Sequence, residues 1–484
     1  MKSRVRSILI FGGILLLLVG VVVLLSRTGE PAEEEALVEA SSEALVLYAQ
    51  NPEDIEYLTV TNEAGSYRIE RFGGEDDGFT VWTIGEFIGL PIDYEKVNDT
   101  VTAAASITSQ QLVAEDAPDL SIYGLTQPRA AVRVEFSDSE NTVRELCIGN
   151  DTPIFGKTYF CFMGENTVYT VNTSDISYFL DDKYSLIQKT VYRPYSSPDP
   201  EDETDYRRIN KMVIAREDID YDIVIEYDTR AENLQMVTGN SSAYVLTSPV
   251  SLDLSPDKSH DVMNMVFWLT ANDIAVVSPT PEQLAEYGLD QPYADIFMDM
   301  AGESFQMKVG NQNAEKTGRY AYVDGIDIIY YFDNYYLPWI TAMPLALTTA
   351  MITSNYIYDV SDLVITVNGS SSHFTLTGSG LSDFTVKLDG MPANADEFKT
   401  LYQFILKAPP EELYFEATGK EPDLTVVITA ENNKDTLEFT HLENRRTAIA
   451  LNGQTSFTCK TAYAERLAQN LTAFKNGDRM IETW

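Results

Sequence analysis

The residues of this chain best suited by type and spacing to covalent chemistry are Ser255-x-x-Lys258 and, further on, Lys316-Thr317-Gly318. In serine acyl enzymes a Lys one helical turn after a Ser activates the hydroxyl, and a Lys-Thr-Gly strand lines the substrate. The pattern is incomplete. The two motifs are too close in sequence for that architecture, no Ser-Asp-Asn element separates them, and Lys316-Thr317-Gly318 falls in a turn between strands. Ser255, followed by Pro256, also fits the start of a helix, where a hydroxyl caps free backbone N–H groups.

Histidine chemistry has little material. His260, His373 and His441 are single residues in three different settings, so neither a triad nor a zinc site is expected. Hard oxygen ligands are plentiful in Glu75-Asp76-Asp77, in Asp199 to Asp205 and in Asp218-Ile219-Asp220-Tyr221-Asp222, yet none has the spacing and Gly of an EF-hand loop. Solvated turns or strand edges account for them. There is no Gly-rich phosphate loop, no Cys-x-x-Cys pair and no basic aromatic strip, so no cofactor is expected. Tyr330, Tyr331, Tyr335 and Tyr336 with Trp339 are the first choice for a partner or glycan contact, against the alternative that aromatics in a strand-rich chain fill the core.

Location is written more plainly than chemistry. Ile8 to Leu25 is an apolar run preceded by Lys2, Arg4 and Arg6. As a helix its length is roughly 27 Å, close to the hydrocarbon thickness of a bilayer. The basic flank places the N-terminus in the cytoplasm and the remainder outside the cytoplasmic membrane. Leu24-Leu25-Ser26-Arg27-Thr28-Gly29 offers no small-x-small cleavage site, so the segment reads as an uncleaved single-pass anchor in contact with membrane lipid. The formal net charge of -40 argues against nucleic acid, teichoic acid or anionic lipid surfaces as the main partner. Only Cys147, Cys161 and Cys459 occur, too few for a disulfide framework. Cys147 and Cys161 sit in successive strand-like runs, leaving one cross-strand contact open alongside the reading of two unpaired thiols.

Beyond the anchor the chain repeats itself. An aliphatic, two residues, an aliphatic, one residue and an aliphatic occur at Ile55-x-x-Leu58-x-Val60, Ile209-x-x-Met212-x-Ile214 and Val360-x-x-Leu363-x-Ile365, with starts 154 and 151 residues apart. Each opening is followed by strands, then by a helix whose first turn is marked by Asp93, Ser255 or Asn394, then by further strands. The helices carry apolar stripes: Val97, Val101 and Ala104; Val262, Val266 and Leu269; Phe398, Leu401 and Ile405. Units one and two share a turn, Tyr123-Gly124-Leu125-Thr126-Gln127-Pro128 and Tyr287-Gly288-Leu289-Asp290-Gln291-Pro292, and later Ile148-Gly149-Asn150 and Val309-Gly310-Asn311. Unit three keeps Gly419 and Pro422, a strand from Leu424 and a closing helix from Ala462.

The Tyr-Gly-Leu-x-x-Pro turn and the Ile/Val-Gly-Asn strand end, behind one N-terminal anchor, resemble the bacterial family called domain of unknown function 4340. The resemblance covers units one and two, about residues 51 to 345, and unit three by pattern. It implies an extracytoplasmic, membrane-tethered protein associated with ABC-type export systems, such as gliding-motility-like auxiliary proteins. It assigns turn and packing roles to Tyr123, Gly124, Leu125, Pro128, Tyr287, Gly288, Leu289 and Pro292, and no catalytic role to any residue.

These readings give an α+β protein: a cytoplasmic tail (1–6), a transmembrane helix (7–26), an acidic stalk (27–50), unit one (51–193), a Pro-, Ser- and acid-rich linker (194–206), unit two (207–345) and a divergent unit three (346–484). Each unit is expected to pack a mainly antiparallel sheet against one helix. The more apolar second junction, around Leu345 to Tyr356, suggests that units two and three form one body. The expected function is a non-enzymatic accessory or scaffolding subunit that docks on an ABC permease and ATPase. The alternative is a module that binds envelope glycan or protein.

Overall fold

A computed structural model describes residues 44–72, 81–194, 196, 201, 206–228, 242–349, 351–431 and 433–484. The expected anchor (7–26) and most of the stalk lie outside the described residues. Among the described residues no helix is long and apolar enough to cross a membrane.

The aliphatic openings become the central strands of three antiparallel sheets of eight, nine and nine strands. In the first, Ile55–Asn62 pairs with Gly65–Phe72 on one side and Ala130–Phe136 on the other. In the second, Ile209–Arg216 lies between Ile223–Tyr227 and Ala294–Met300. In the third, Val360–Val367 lies between Ser370–Thr377 and Leu424–Ala430. All three sheets then add successive hairpins on the second side and finish with a strand that returns from earlier in the chain: Gln111–Ala114, Asp273–Val277 and Glu412–Leu413.

The three-then-two spacing of the openings is not the period of a regular strand, and the register explains it. Pairing with the second-side neighbour shifts by one residue between Ile55 and Tyr57, between Ile209 and Lys211, and between Val360 and Asp362. The extra residue of a β-bulge resets which face the following side chains take. As a result Ile55, Leu58 and Val60 are all buried, as are Ile209, Met212 and Ile214, and Val360, Leu363 and Ile365.

The chain forms two compact units. Of the described residues, the first comprises those from 44 to 88 together with 94–183 and contains the first sheet; the second comprises 89–93 and those from 184 to 484 and contains the other two. In the first unit, helix α1 (Tyr94–Ala105) buries Val97, Val101 and Ala104. Leu45–Ala49, expected to belong to the stalk, is instead a strand paired with Ser106–Ser109. Its Tyr48 supplies the reason: the ring is buried, and the hydroxyl donates to Ala104 O at 2.7 Å.

In the second unit each sheet carries two helices rather than one. The second sheet has α2 (Pro256–Asn264) and the short α3 (Pro281–Glu286); the third has α4 (Ala395–Leu406) and α5 (Thr461–Asn476). Helix α3 starts at a capping box in which Thr280 and Gln283 satisfy each other's backbone N–H groups, with Pro281 at the first position. Asn394 caps α4 through its side chain, whereas Ser255 holds the N-cap position of α2 without a side-chain bond to that helix.

The junction at 345–356 is pinned by polar groups. The Asp435 carboxylate, almost fully buried, accepts from Thr353 Oγ1 and Asn355 Nδ2, both at 2.6 Å, and from Asn433 Nδ2 at 3.1 Å and Asn452 Nδ2 at 3.3 Å. A buried carboxylate is tolerated when its lone pairs are filled in this way. Ser354 ties the same segment to Asp253 of the second sheet at 2.6 Å.

Candidate functional site

The shared turn and the shared strand end form one lock. Gly124 and Gly288 both have φ of 72°, a left-handed conformation that strains residues bearing a Cβ. A Cβ on Gly124 would come within 2.5 Å of the Asn150 side chain, and one on Gly288 within 2.6 Å of Asn311 Oδ1. Reciprocally, a Cβ on Gly149 or Gly310 would collide with the carbonyl oxygen of Tyr123 or Tyr287. In the second sheet Asn311 N donates to Tyr287 O at 2.8 Å, and Asn311 Nδ2 to Glu286 O at 2.9 Å. The Gly-Asn pair lies at a register shift in each case, between Ile148 and Asp151 and between Val309 and Gln312. Tyr123 packs edge-on against Tyr159 at 4.9 Å, and Tyr287 against Tyr320 at 4.5 Å. Leu125 and Leu289 are buried beneath the turns.

The carbonyl of each strand-end glycine is satisfied by an arginine, but from different positions. Arg129 Nε donates to Gly149 O at 2.7 Å, while Arg319 Nη1 donates to Gly310 O at 2.7 Å. By register, position 129 corresponds to Tyr293 and Thr158 corresponds to Arg319. The Arg319 guanidinium also lies 3.8 Å from the centroid of the Tyr293 ring. The contact is kept while its donor moves between strands, which identifies the motif as a packing device.

The aromatic stretch expected to meet a partner is divided between core and surface. Trp339 and Tyr330 are fully buried, a correction to the expectation. Trp339 Nε1 donates to Val262 O at 2.8 Å, and the Tyr330 hydroxyl reaches Gln188 O at 3.4 Å. Tyr330 is buried within the strand Ile328–Asp333, and Trp339 within the 3-10 turn Pro338–Thr341. Tyr331 is half-buried, with its hydroxyl against Asn313 Nδ2 and Thr317 Oγ1, both at 3.0 Å. Tyr336 is half-buried and Tyr335 is 76% exposed.

Lys258 Nζ is spent on Thr348 O at 3.0 Å, and Ser255 N is held by Leu347 O at 2.9 Å. Lys316 occupies a left-handed turn position, and Thr317 N donates to Asn313 Oδ1 at 2.9 Å. Each histidine meets one aspartate on its own sheet or helix: His260 with Asp261, His373 with Asp362 and His441 with Asp423. Among the described residues no three His, Cys, Asp or Glu side chains converge as a metal site needs. Glu75-Asp76-Asp77 and most of 199–205 lie outside the described residues. Of the third acidic run, Asp218 is occupied by Arg216, with Nε to Oδ1 at 2.9 Å and Nη2 to Oδ2 at 3.0 Å. Arg216 itself is buried and also donates to Ala342 O at 2.7 Å, a structural centre that only the unassuming Arg-x-Asp spacing could have signalled.

A cleft of about 270 Å3 opens beside α4, lined by Tyr356, Tyr358, Asn355, Lys399, Gln403 and neighbouring apolar groups. Tyr356 is 44% exposed and meets Tyr358 edge-on at 5.2 Å; Tyr358 meets Phe384 at 5.3 Å. Tyr402 donates to Asn355 O at 2.6 Å and fixes the floor to the segment that Asp435 holds. Exposed aromatic edges with amide and ammonium groups are suited to binding a polar ligand that has apolar faces. This cleft was not legible in the sequence, because its lining comes from the unit junction and from α4.

Residues 82–274 match the model of the domain of unknown function DUF4340. The chain therefore resembles DUF4340 over a stretch that starts in Val81–Ile84, in the first sheet, and ends in Asp273–Val277, in the second. The match is shorter than the expected 51–345 and includes the first turn motif but not the second. No curated protein matches the chain.

Proposed function

We propose that this is a single-pass, membrane-tethered extracytoplasmic protein without enzymatic activity, acting as an accessory or scaffolding subunit of an ABC-type export complex. The observation that carries the reading is the coupling of an apolar N-terminal run to three copies of one sheet. In these sheets the repeated openings serve bulges, the turn motifs of the first two serve locks, and Lys258 Nζ is bound to a backbone carbonyl. Tandem copies of one sheet give reach and several docking faces. The chain resembles DUF4340, a domain of unknown function, over residues 82–274; the association with transport is an analogy and rests on no group in this chain. Deleting residues 1–26 tests the tether: the protein should leave the membrane fraction and lose its partner. Retention of both would count against the reading.

A second reading, an envelope-glycan binding module, is favoured by the aromatic cleft at Tyr356 and Tyr358. Such a module would sediment with purified cell wall even without the anchor, and Tyr356→Ala would weaken that sedimentation.

A further inference from the structure

Cys147 and Cys161 are directly opposed residues of the antiparallel strands Val143–Asp151 and Lys157–Phe162. Met163 N donates to Glu145 O at 2.8 Å, so Glu145 and Met163 form a hydrogen-bonded pair of the ladder. Two residues along, Cys147 and Cys161 are of the same kind, whose α-carbons stand about 5.5 Å apart with side chains on one face. That separation lies within the range a disulfide spans, about 4.4–6.8 Å. Neither sulfur is bonded to another, and both residues are buried.

Their setting is particular to this sheet. The equivalent opposed pairs are Lys308 with Tyr322 in the second sheet and Glu438 with Ala450 in the third. Cys147 and Cys161 belong to a small cluster with Ala117, Leu125 and Val168, against which Tyr123 and Tyr159 pack. The pair thus lies under the turn lock of the first sheet. Cys459, the third thiol, is in another sheet, and burial pushes it up to about 12.

We propose that Cys147 and Cys161 are a redox site that closes to a cross-strand disulfide by exchange with a disulfide-bearing oxidant, protein or small-molecule. As the hairpin opens locally, one of the two thiols loses its proton and attacks one sulfur of the oxidant; a mixed disulfide forms and one thiolate of the oxidant leaves. The other thiol then loses its proton and attacks the cysteine sulfur of the mixed disulfide, forming the internal bond and expelling the second thiolate. Two protein thiols are oxidised and one disulfide is reduced to two thiols. The closed bond would staple the hairpin beneath Leu125. Only the occurrence of this step in the cell rests on the extracytoplasmic reading; the chemistry rests on the opposed side chains.

The test uses the full-length protein, purified, reduced, freed of reductant and incubated with oxidised glutathione. It is then acid-quenched, unfolded, alkylated, digested and analysed by mass spectrometry. The expected product is a peptide pair joined through Cys147 and Cys161, with Cys459 alkylated. Alkylation of all three cysteines after oxidation, or a link through Cys459, would overturn the proposal. In parallel, Cys161→Ser and Cys147→Ser should each stop at a glutathione adduct on the remaining thiol of the pair; an internal disulfide formed with Cys459 in either variant would overturn it. Acid quench and alkylation of whole cells separates the two readings. A pair that closes in vitro but is reduced in cells contradicts the extracytoplasmic placement and leaves the site intact.

Discussion

The carbonyl oxygen of Tyr287 occupies the space into which any side chain on Gly310 would project, and Tyr123 stands in the same relation to Gly149. Two short motifs far apart in sequence are therefore one contact, made in two sheets. The turn holds the strand end, and the strand end leaves room for the turn.

Gly149→Ala and Gly310→Ala should each destabilise the protein by about 3 kcal/mol, since the collision is with backbone rather than a movable side chain. Gly85→Ala, whose nearest new contact is a Glu70 carboxylate oxygen at 3.4 Å, should change stability by less than about 1 kcal/mol. Urea unfolding of the purified variants checks both; equal effects at the three glycines would contradict the lock.

Trp339→Ala should cost about 3–5 kcal/mol, because it empties a fully buried site and strands the Val262 carbonyl. Tyr335→Ala should stay within about 0.5 kcal/mol, as expected for an exposed ring. Thermal unfolding separates them. If the stretch docks a partner, Tyr335 is the residue whose loss weakens capture without weakening the fold.

Part of this was legible in the sequence, for physical reasons. The three openings could be read because a bulge leaves a fixed three-then-two spacing of buried aliphatics, and the helix stripes because Val97, Val101 and Ala104 recur at helical spacing. The strands Ile223–Tyr227 and Ser370–Thr377 carry a weaker signal, one behind the acidic run at 218–222 and the other behind serines that alternate with few apolar groups. Aromatic composition alone could not divide Tyr330 and Trp339 from Tyr335, since burial there depends on which face of the strand and of the 3-10 turn each occupies. The cleft at Tyr356 and the Asp435 cage depend on contacts between distant segments, for which the sequence carries no local signal.

Arg216→Ala should destabilise the second compact unit by about 3 kcal/mol, because the Ala342 carbonyl loses its buried donor along with the guanidinium packing. Arg216→Lys should recover only part of this, since an ammonium cannot bridge Asp218 through two donors and reach Ala342 together. Hydrogen exchange localised to residues 209–216 and 338–343 would report the loss.

Acid sensitivity has a named contributor. The Thr158 hydroxyl, and after it the Arg129 guanidinium, holds Asp151 below the usual carboxylate range. A carboxyl depressed in the folded state stabilises above its unfolded value, near pH 4, and that stability is lost as pH falls through the folded value. Asp151→Asn should therefore lower stability at pH 7 and flatten the decline below about pH 4. An unchanged acid limb in equilibrium unfolding would remove Asp151 from the account.

Alkaline sensitivity runs the other way. Burial pushes Tyr463 well above its ordinary value, and its hydroxyl donates to Phe404 O at 3.0 Å and Ile405 O at 3.2 Å. The stability it contributes is present below about pH 10 and is lost as pH rises through the folded value. Tyr463→Phe should cost about 1–2 kcal/mol at pH 7 while making the decline above about pH 10 shallower. Unfolding midpoints measured from pH 7 to 11 decide it.

The central claim is that the repeated sheets serve docking at the membrane. Its most direct measurement is crosslinking in cells, membrane solubilisation, purification through a C-terminal tag and mass spectrometry of what accompanies the protein. Recovery of an ABC permease and its ATPase at near-equal stoichiometry, lost when residues 1–26 are deleted, is the predicted result. Recovery of this chain alone, under conditions that keep another membrane complex intact, would contradict it.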